Sequence, residues 1–176
     1  NAKITSDGER LYYEERNKIY VQMLKDGSVR EIANNVPYRI EIVNDVLTDK
    51  AGKDYIEHPL RVMAMGITES EKIVGILHDV LEDTPITIEF LAKEGFSQEI
   101  LDALLCVTKI SNNEDYDHFI TRVLTNPLAI KVKINDLIDN MDLTRLNKVT
   151  DKDLKRLQKY QRAYHRLVNH ISKGNI

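Results

Sequence analysis

Thr68-Glu69-Ser70-Glu71 constrains this chain more than any other segment. A threonine followed three residues later by glutamate is a capping box, in which each side chain satisfies a backbone N–H of the other at a helix start. Behind it, Ile73, Val74, Ile76, Leu77, Val80 and Leu81 recur at helical period as far as Thr84-Pro85, where proline ends the run. The spacing predicts one continuous helix there, with His78-Asp79 in the middle of its apolar stretch.

The same punctuation divides the rest of the chain into helices. Pro59 opens a short helix and Gly66 ends it, while Thr87 caps another that stops at Gly95. Ser97 caps a helix carrying Ile100, Leu101, Leu104, Leu105 and Val107. Further helices are predicted near Tyr116–Thr125, from Pro127 through Met141, and over about 151–171 with Leu154, Leu157, Tyr160, Tyr164, Leu167 and Ile171 on one face. Pro37 begins another, bearing Ile40, Val43, Val46 and Leu47. Toward the N-terminus, Ile19–Leu24 and Val29–Ala33 flank Lys25-Asp26-Gly27-Ser28 as in a hairpin, yet Tyr12, Ile19, Tyr20, Met23 and Leu24 also fit a helix, and both readings stay open. The expected fold class is all-α, a helical bundle with a small β-hairpin as an optional N-terminal feature. A chain of 176 residues without repeat or low-complexity tract is expected to be one domain, 1–176. Its motif-bearing core is expected at about 37–146, ahead of a C-terminal helix at 151–171.

Charge excludes some partners. Lys and Arg total 25 against 28 Asp and Glu, a net charge of −3, so there is no basic footprint for nucleic acid or an anionic membrane. An anionic substrate would have to be drawn by a local site or a bound cation. Cys106 is the single cysteine and lies in Leu104-Leu105-Cys106-Val107, which predicts a buried structural thiol in a reducing compartment. No apolar stretch approaches the roughly 20 residues that span a bilayer. Asn1-Ala2-Lys3-Ile4 lacks the apolar run of a signal peptide. The expectation is a cytoplasmic protein, with oligomerisation left open.

His78-Asp79 is the first chemical signal. A buried imidazole beside a buried carboxylate is costly unless it is paired or bound to metal. On a continuous helix Glu82 would lie one turn above His78, and Asp83 one turn above Asp79. Crowded carboxylates repel one another, a divalent cation relieves that repulsion, and a His/Asp mixture suits Mn, Fe or Zn better than Ca.

Two further blocks accompany this one: Tyr55-Ile56-Glu57-His58-Pro59 and Lys133-Ile134-Asn135-Asp136 with Asn140-Met141, plus a weaker Val107-Thr108-Lys109. In order and spacing, His58, His78-Asp79 and Asp136 resemble the HD superfamily of metal-dependent phosphohydrolases. The closest resemblance is to the hydrolase domain of the RelA/SpoT alarmone enzymes and their small stand-alone relatives, over roughly residues 40 to 146. The resemblance implies His58, His78, Asp79 and Asp136 as ligands of one cation, commonly Mn2+, with Fe2+ or Zn2+ as alternatives. It also implies that Glu82 and Asp83 position or activate the attacking water, and that the reaction removes pyrophosphate from the 3′ position of ppGpp or pppGpp. At this length no synthetase domain is expected beside the hydrolase motifs.

Departures from the family pattern touch the substrate side. Around the last ligand the family usually reads Ala-Asp-Arg-Leu-His-Asn-Met and then Arg-Thr-Leu; this chain has Leu137, Asp139 and Asp142 where the Arg, the His and the second Arg stand. An Arg-rich stretch that contacts guanine in the family is replaced here by a segment with Lys50 and Lys53, and Lys does not stack as guanidinium does. Lys50, Lys53, Lys109 and Asn140 are the substrate-binding candidates, Lys109 serving equally well as a helix-end cap. Two alternatives stay open: an HD phosphohydrolase for another nucleotide or phosphoester, and an inactive nucleotide-sensing module. His118, His165 and His170 read as surface or packing residues, Tyr160 and Tyr164 as core, and the basic face of the last helix as solvated.

Overall fold

A computed structural model describes the backbone of residues 4–6, 10–15, 18–23 and 29–33 and, further on, residues 57–83, 86–111, 113–146 and 148–174. The N-terminal part is a four-stranded antiparallel meander in the order β1 (Ile4–Ser6), β2 (Arg10–Glu15), β3 (Lys18–Met23), β4 (Val29–Ala33). β3 and β4 are the two arms of the expected hairpin, paired Tyr20 to Glu31 and Val21 to Arg30. The helical alternative for that stretch is thereby set aside, and β1 and β2 extend the hairpin into a sheet. The predicted helix from Pro37 and the candidates Lys50 and Lys53 lie outside the described residues.

Everything described beyond residue 56 is helical or loop, an all-α bundle of α1 (Glu57–Met65), α2 (Glu69–Leu77), α3 (Val80–Asp83), α4 (Ile88–Lys93), α5 (Gln98–Val107), α6 (Tyr116–Val123), α7 (Pro127–Met141) and α8 (Asp151–Ser172). The caps explain the starts. Thr68 and Glu71 form the expected capping box, Thr150 and Asp153 form a second, and Asp115 and Asn126 accept backbone N–H groups at the heads of α6 and α7. Gly95 ends the α4 segment at φ +93, a conformation that costs other residues more.

α7 is the central strut, touching α1, α2, α5, α6 and α8. Its Leu128, Ala129, Ile130, Val132 and Leu137 are buried with Val62, Met63, Val74, Leu104, Phe119, Ile120 and Leu167 in one apolar core.

Three expectations change. The helix begun at Thr68 is not continuous: α2 ends at Leu77 and α3 begins at Val80, so His78-Asp79 occupies a turn. In an unbroken helix the Gly75 carbonyl takes the N–H of Asp79; here it accepts Nδ1–H of His78 at 2.8 Å. Leu154 shares the apolar period of α8 but is 45% exposed, because the fully buried residues of that helix, Ala163 and Leu167, lie in its second half. Cys106 is half-buried rather than enclosed, with Sγ 3.9 Å from the Thr125 hydroxyl.

Candidate metal centre

Three parts of the bundle deliver the chemistry. His58 sits in the first turn of α1, His78-Asp79 form the turn between α2 and α3, and Asp136 faces them from α7. Gly75 sets the spacing of the first two. A Cβ on Gly75 would stand 3.0 Å from Met63 Cα and 3.1 Å from Met63 N, so only glycine lets α1 and α2 approach this closely.

His58 Nε2 lies 3.2 Å from His78 Nε2, 3.8 Å from Asp79 Oδ2 and 3.1 Å from Asp136 Oδ1. His78 Nε2 lies 3.3 Å from Asp79 Oδ2 and 3.6 Å from Asp136 Oδ1. Hydrogen bonding on the far side of each ring then fixes the tautomers. His78 Nδ1 faces the Gly75 carbonyl at 2.8 Å and His58 Nδ1 faces Asp139 Oδ2 at 2.7 Å. Both partners only accept, so both Nδ1 atoms carry the proton. In the neutral rings both Nε2 atoms are therefore bare lone pairs, turned toward each other and toward two carboxylate oxygens.

Two imidazole lone pairs and two carboxylates crowd together here, with Lys133 and Asn140 donating to Asp136, and a positive charge among them relieves the repulsion. Donors bound side by side to one ion at about 2.0–2.2 Å stand about 3.0–3.4 Å apart, and three of these five separations fall there. Among the described residues, His58, His78 and Asp79, whose donor atoms all lie within 4.8 Å of one another, could hold a divalent cation, with Asp136 beside the two rings. His78 and Asp136 are almost fully enclosed, at 2% and 4% exposure, while Asp79 is partly open to solvent. In the protein alone a proton must do the cation's work. Burial by itself would depress the His78 pKa, but the Asp79 charge and hydrogen bonds with both carboxylates push it up to about 10. His58 is raised as well, burial being outweighed by its bonds to Asp136 and Asp139.

Asp136 is held from behind. Lys133 Nζ lies 2.6 Å from its Oδ2, and Asn140 Nδ2 donates to its Oδ1 and its carbonyl. Burial would raise the Asp136 carboxyl, yet the Lys133 charge holds it well below the usual range.

The outer candidates are placed differently from the four inner ones. Glu82 and Asp83 lie in α3, both exposed. Asp83 keeps its place one turn above Asp79, its N–H donating to the Asp79 carbonyl at 3.0 Å. Glu82 instead turns to the end of α5, accepting from Lys109 N at 2.7 Å and from Lys109 Nζ at 3.4 Å. Asn140 is engaged with Asp136. Two residues carry weight the sequence reading gave neither of them: Asp139, noted there only as a departure, and Arg61. Asp139 accepts from His58 and from Arg61, whose Nε stands 2.6 Å from Oδ1 and whose Nη2 stands 3.2 Å from Oδ2. The only local signal was spacing, Asp139 falling three residues after Asp136 and Arg61 three after His58.

No protein-family model matches the chain. It is similar to a guanosine-3′,5′-bis(diphosphate) 3′-pyrophosphohydrolase of Aquifex aeolicus, 34% identical over 103 residues, which is 52% of this chain and 15% of that protein. A probable GTP pyrophosphokinase of Mycobacterium leprae is 30% identical over 108 residues, 54% of this chain and 14% of its own length. A guanosine-3′,5′-bis(diphosphate) 3′-pyrophosphohydrolase of Borreliella burgdorferi is 42% identical over 65 residues, 35% and 10%. The chain thus matches only about a seventh or less of each of these much longer proteins. Among the described residues no helix is long and apolar enough to cross a membrane.

Proposed function

We propose that this chain, a relative of the RelA/SpoT-type hydrolases over about half its length, is a single-domain, metal-dependent phosphohydrolase that removes the 3′-pyrophosphate of ppGpp or pppGpp. The observation that supports this reading is the approach of the His58 and His78 Nε2 atoms to Asp79 and Asp136 oxygens, a donor set suited to a cation.

In this reading His58, His78, Asp79 and Asp136 hold one divalent ion, manganese first and iron or zinc as alternatives. When bound, such an ion lowers the pKa of water and offsets charge on the phosphate. The protein's own groups supply the rest. Glu82, exposed in α3, accepts the proton of the attacking water, and Asp83 beside it helps orient that water. Water oxygen bonds to the 3′ phosphorus, the bond from phosphorus to the ribose 3′ oxygen breaks, and that oxygen gains a proton. Lys109, whose ammonium stands 3.4 Å from Glu82, meets a phosphate oxygen of the substrate in this reading. The same reading places the protein in the cytoplasm with a small nucleotide as partner, and a net charge of −3 favours neither nucleic acid nor membrane.

A second reading, another nucleotide or phosphoester as substrate, draws on the altered rim. Leu137 is buried in the core, and Asp142 accepts from Thr144 N and its hydroxyl as the cap of a 3-10 turn at Leu143–Arg145. Neither position presents the guanidinium of the family pattern.

The test offers purified protein with manganese ppGpp, NADPH, deoxynucleoside monophosphates and a generic phosphodiester, each with a chelator control. Chelator-sensitive release of pyrophosphate from ppGpp alone is the expected result. Turnover of a different ester supports the second reading, and binding without turnover leaves a sensing module.

A further inference from the structure

We infer that Asp139, clamped by Arg61, is a positioning residue that backs His58 and sets the donor strength of the metal centre; this rests on the cation-binding reading above.

The argument begins with cost. Asp139 is a carboxylate at 7% exposure, and enclosing an ion is unfavourable unless its oxygens are occupied. Both are. Arg61 approaches with Nε on one oxygen and Nη2 on the other, the forked geometry in which guanidinium binds carboxylate best. Arg61 is steadied in turn by Glu57 Oε2, 3.2 Å from Nη1. About one turn of α1 (Glu57, His58, Arg61) therefore meets about one turn of α7 (Asp136, Asp139, Asn140) across a charged seam.

That seam has a direction. Asp139 Oδ2 holds His58 Nδ1–H at 2.7 Å, which fixes the ring's tautomer and its rotation and makes the opposite nitrogen a stronger donor. His78 has only a neutral carbonyl, Gly75 O, in the equivalent place. The two imidazoles are thus unequal: His58 is backed by a full negative charge and His78 by a dipole. The HD-type pattern this chain resembles carries His at the position of Asp139, and a neutral imidazole there could neither hold Arg61 in a fork nor lend charge to His58. A simple staple between α1 and α7 would use the same ion pair, but it would not require the Oδ2 bond to His58.

Asp139→Asn keeps the shape and one acceptor while removing the charge; Asp139→Ala removes all three. Manganese binding to the full chain is followed by the electron-spin resonance of free Mn2+, and thermal unfolding is measured in chelator and in a fixed, subsaturating concentration of manganese. The expected result is manganese affinity lowered about 10–100-fold, more in Asp139→Ala than in Asp139→Asn, with a smaller gain in melting temperature on adding subsaturating manganese than the wild type shows. Affinity within twofold of wild type in Asp139→Asn, with melting temperatures lowered equally in chelator and in manganese, overturns the inference and leaves a staple. A wild-type chain that takes up no manganese overturns the underlying metal reading and this inference together.

Discussion

The Nε2 atoms of His58 and His78 stand 3.2 Å apart, and each ring spends its one neutral-state proton on its far side, toward Asp139 and the Gly75 carbonyl. Two lone pairs held face to face beside two carboxylates form a receptor for positive charge, and the expected behaviour of the protein follows from what fills it.

Manganese should stabilise the fold by mass action, by about 2.7 kcal/mol at a free concentration of 100 times Kd. Asp79→Ala should lose both this gain and all turnover. Thermal unfolding with and without manganese, together with metal analysis of the purified protein, checks it. Full metal content in Asp79→Ala would remove that residue from the ligand set.

Without metal, stability should depend on pH through His78. Its folded pKa, near 10, is raised above the unfolded value of 6.5. The stabilisation is therefore complete below about 6.5 and is lost as pH rises through about 10, at about 1.4 kcal/mol per pH unit for one proton. In chelator the protein should lose stability between pH 7 and pH 9, whereas with manganese bound the decline should shrink, because the ion replaces the proton. Denaturant titrations at both pH values are the measurement. A metal-free stability that stays level over that range means His78 holds no extra proton.

Gly75→Ala should cost about 1–3 kcal/mol, since its methyl would meet the Met63 backbone rather than a movable side chain. Manganese affinity should fall with it, because pushing α1 from α2 separates His58 from His78. A variant that melts and binds metal like the wild type would show that the helices have room to spare.

Glu82→Ala should keep its metal and lose about 10²–10⁴-fold in turnover, the range typical of a proton-accepting group. Metal content and initial rate, measured on one preparation, separate the two effects. An undiminished rate would exclude Glu82 from water activation.

Much of this molecule is local, and that part was legible in the residues. A capping box at Thr68 and Glu71 closes hydrogen bonds within four residues, Pro127 can start a helix but not continue one, and an apolar set at period 3.6 has one way to hide its face. Most helix starts followed, whereas the grouping of His58, His78, Asp79 and Asp136 came from the family resemblance rather than from any local pattern. Neighbours in sequence could not decide between strand and helix for Ile19–Met23, where both periods fit and only pairing with Val29–Ala33 selects the strand.

Other features depend on which faces meet in space. That His78 Nδ1 would face Gly75 O while its Nε2 faces His58 on α1 and Asp136 on α7 depends on how those helices meet. That Asp139 would bind His58 and Arg61 depends on α1 lying across α7, contacts that bridge 81 and 78 residues of chain. Glu82 reaches Lys109 over 27 residues for a similar reason. Backbone hydrogen bonding and capping act over a turn and are written into short stretches, whereas the partner of a buried charge is chosen by packing, after the helices have found their neighbours.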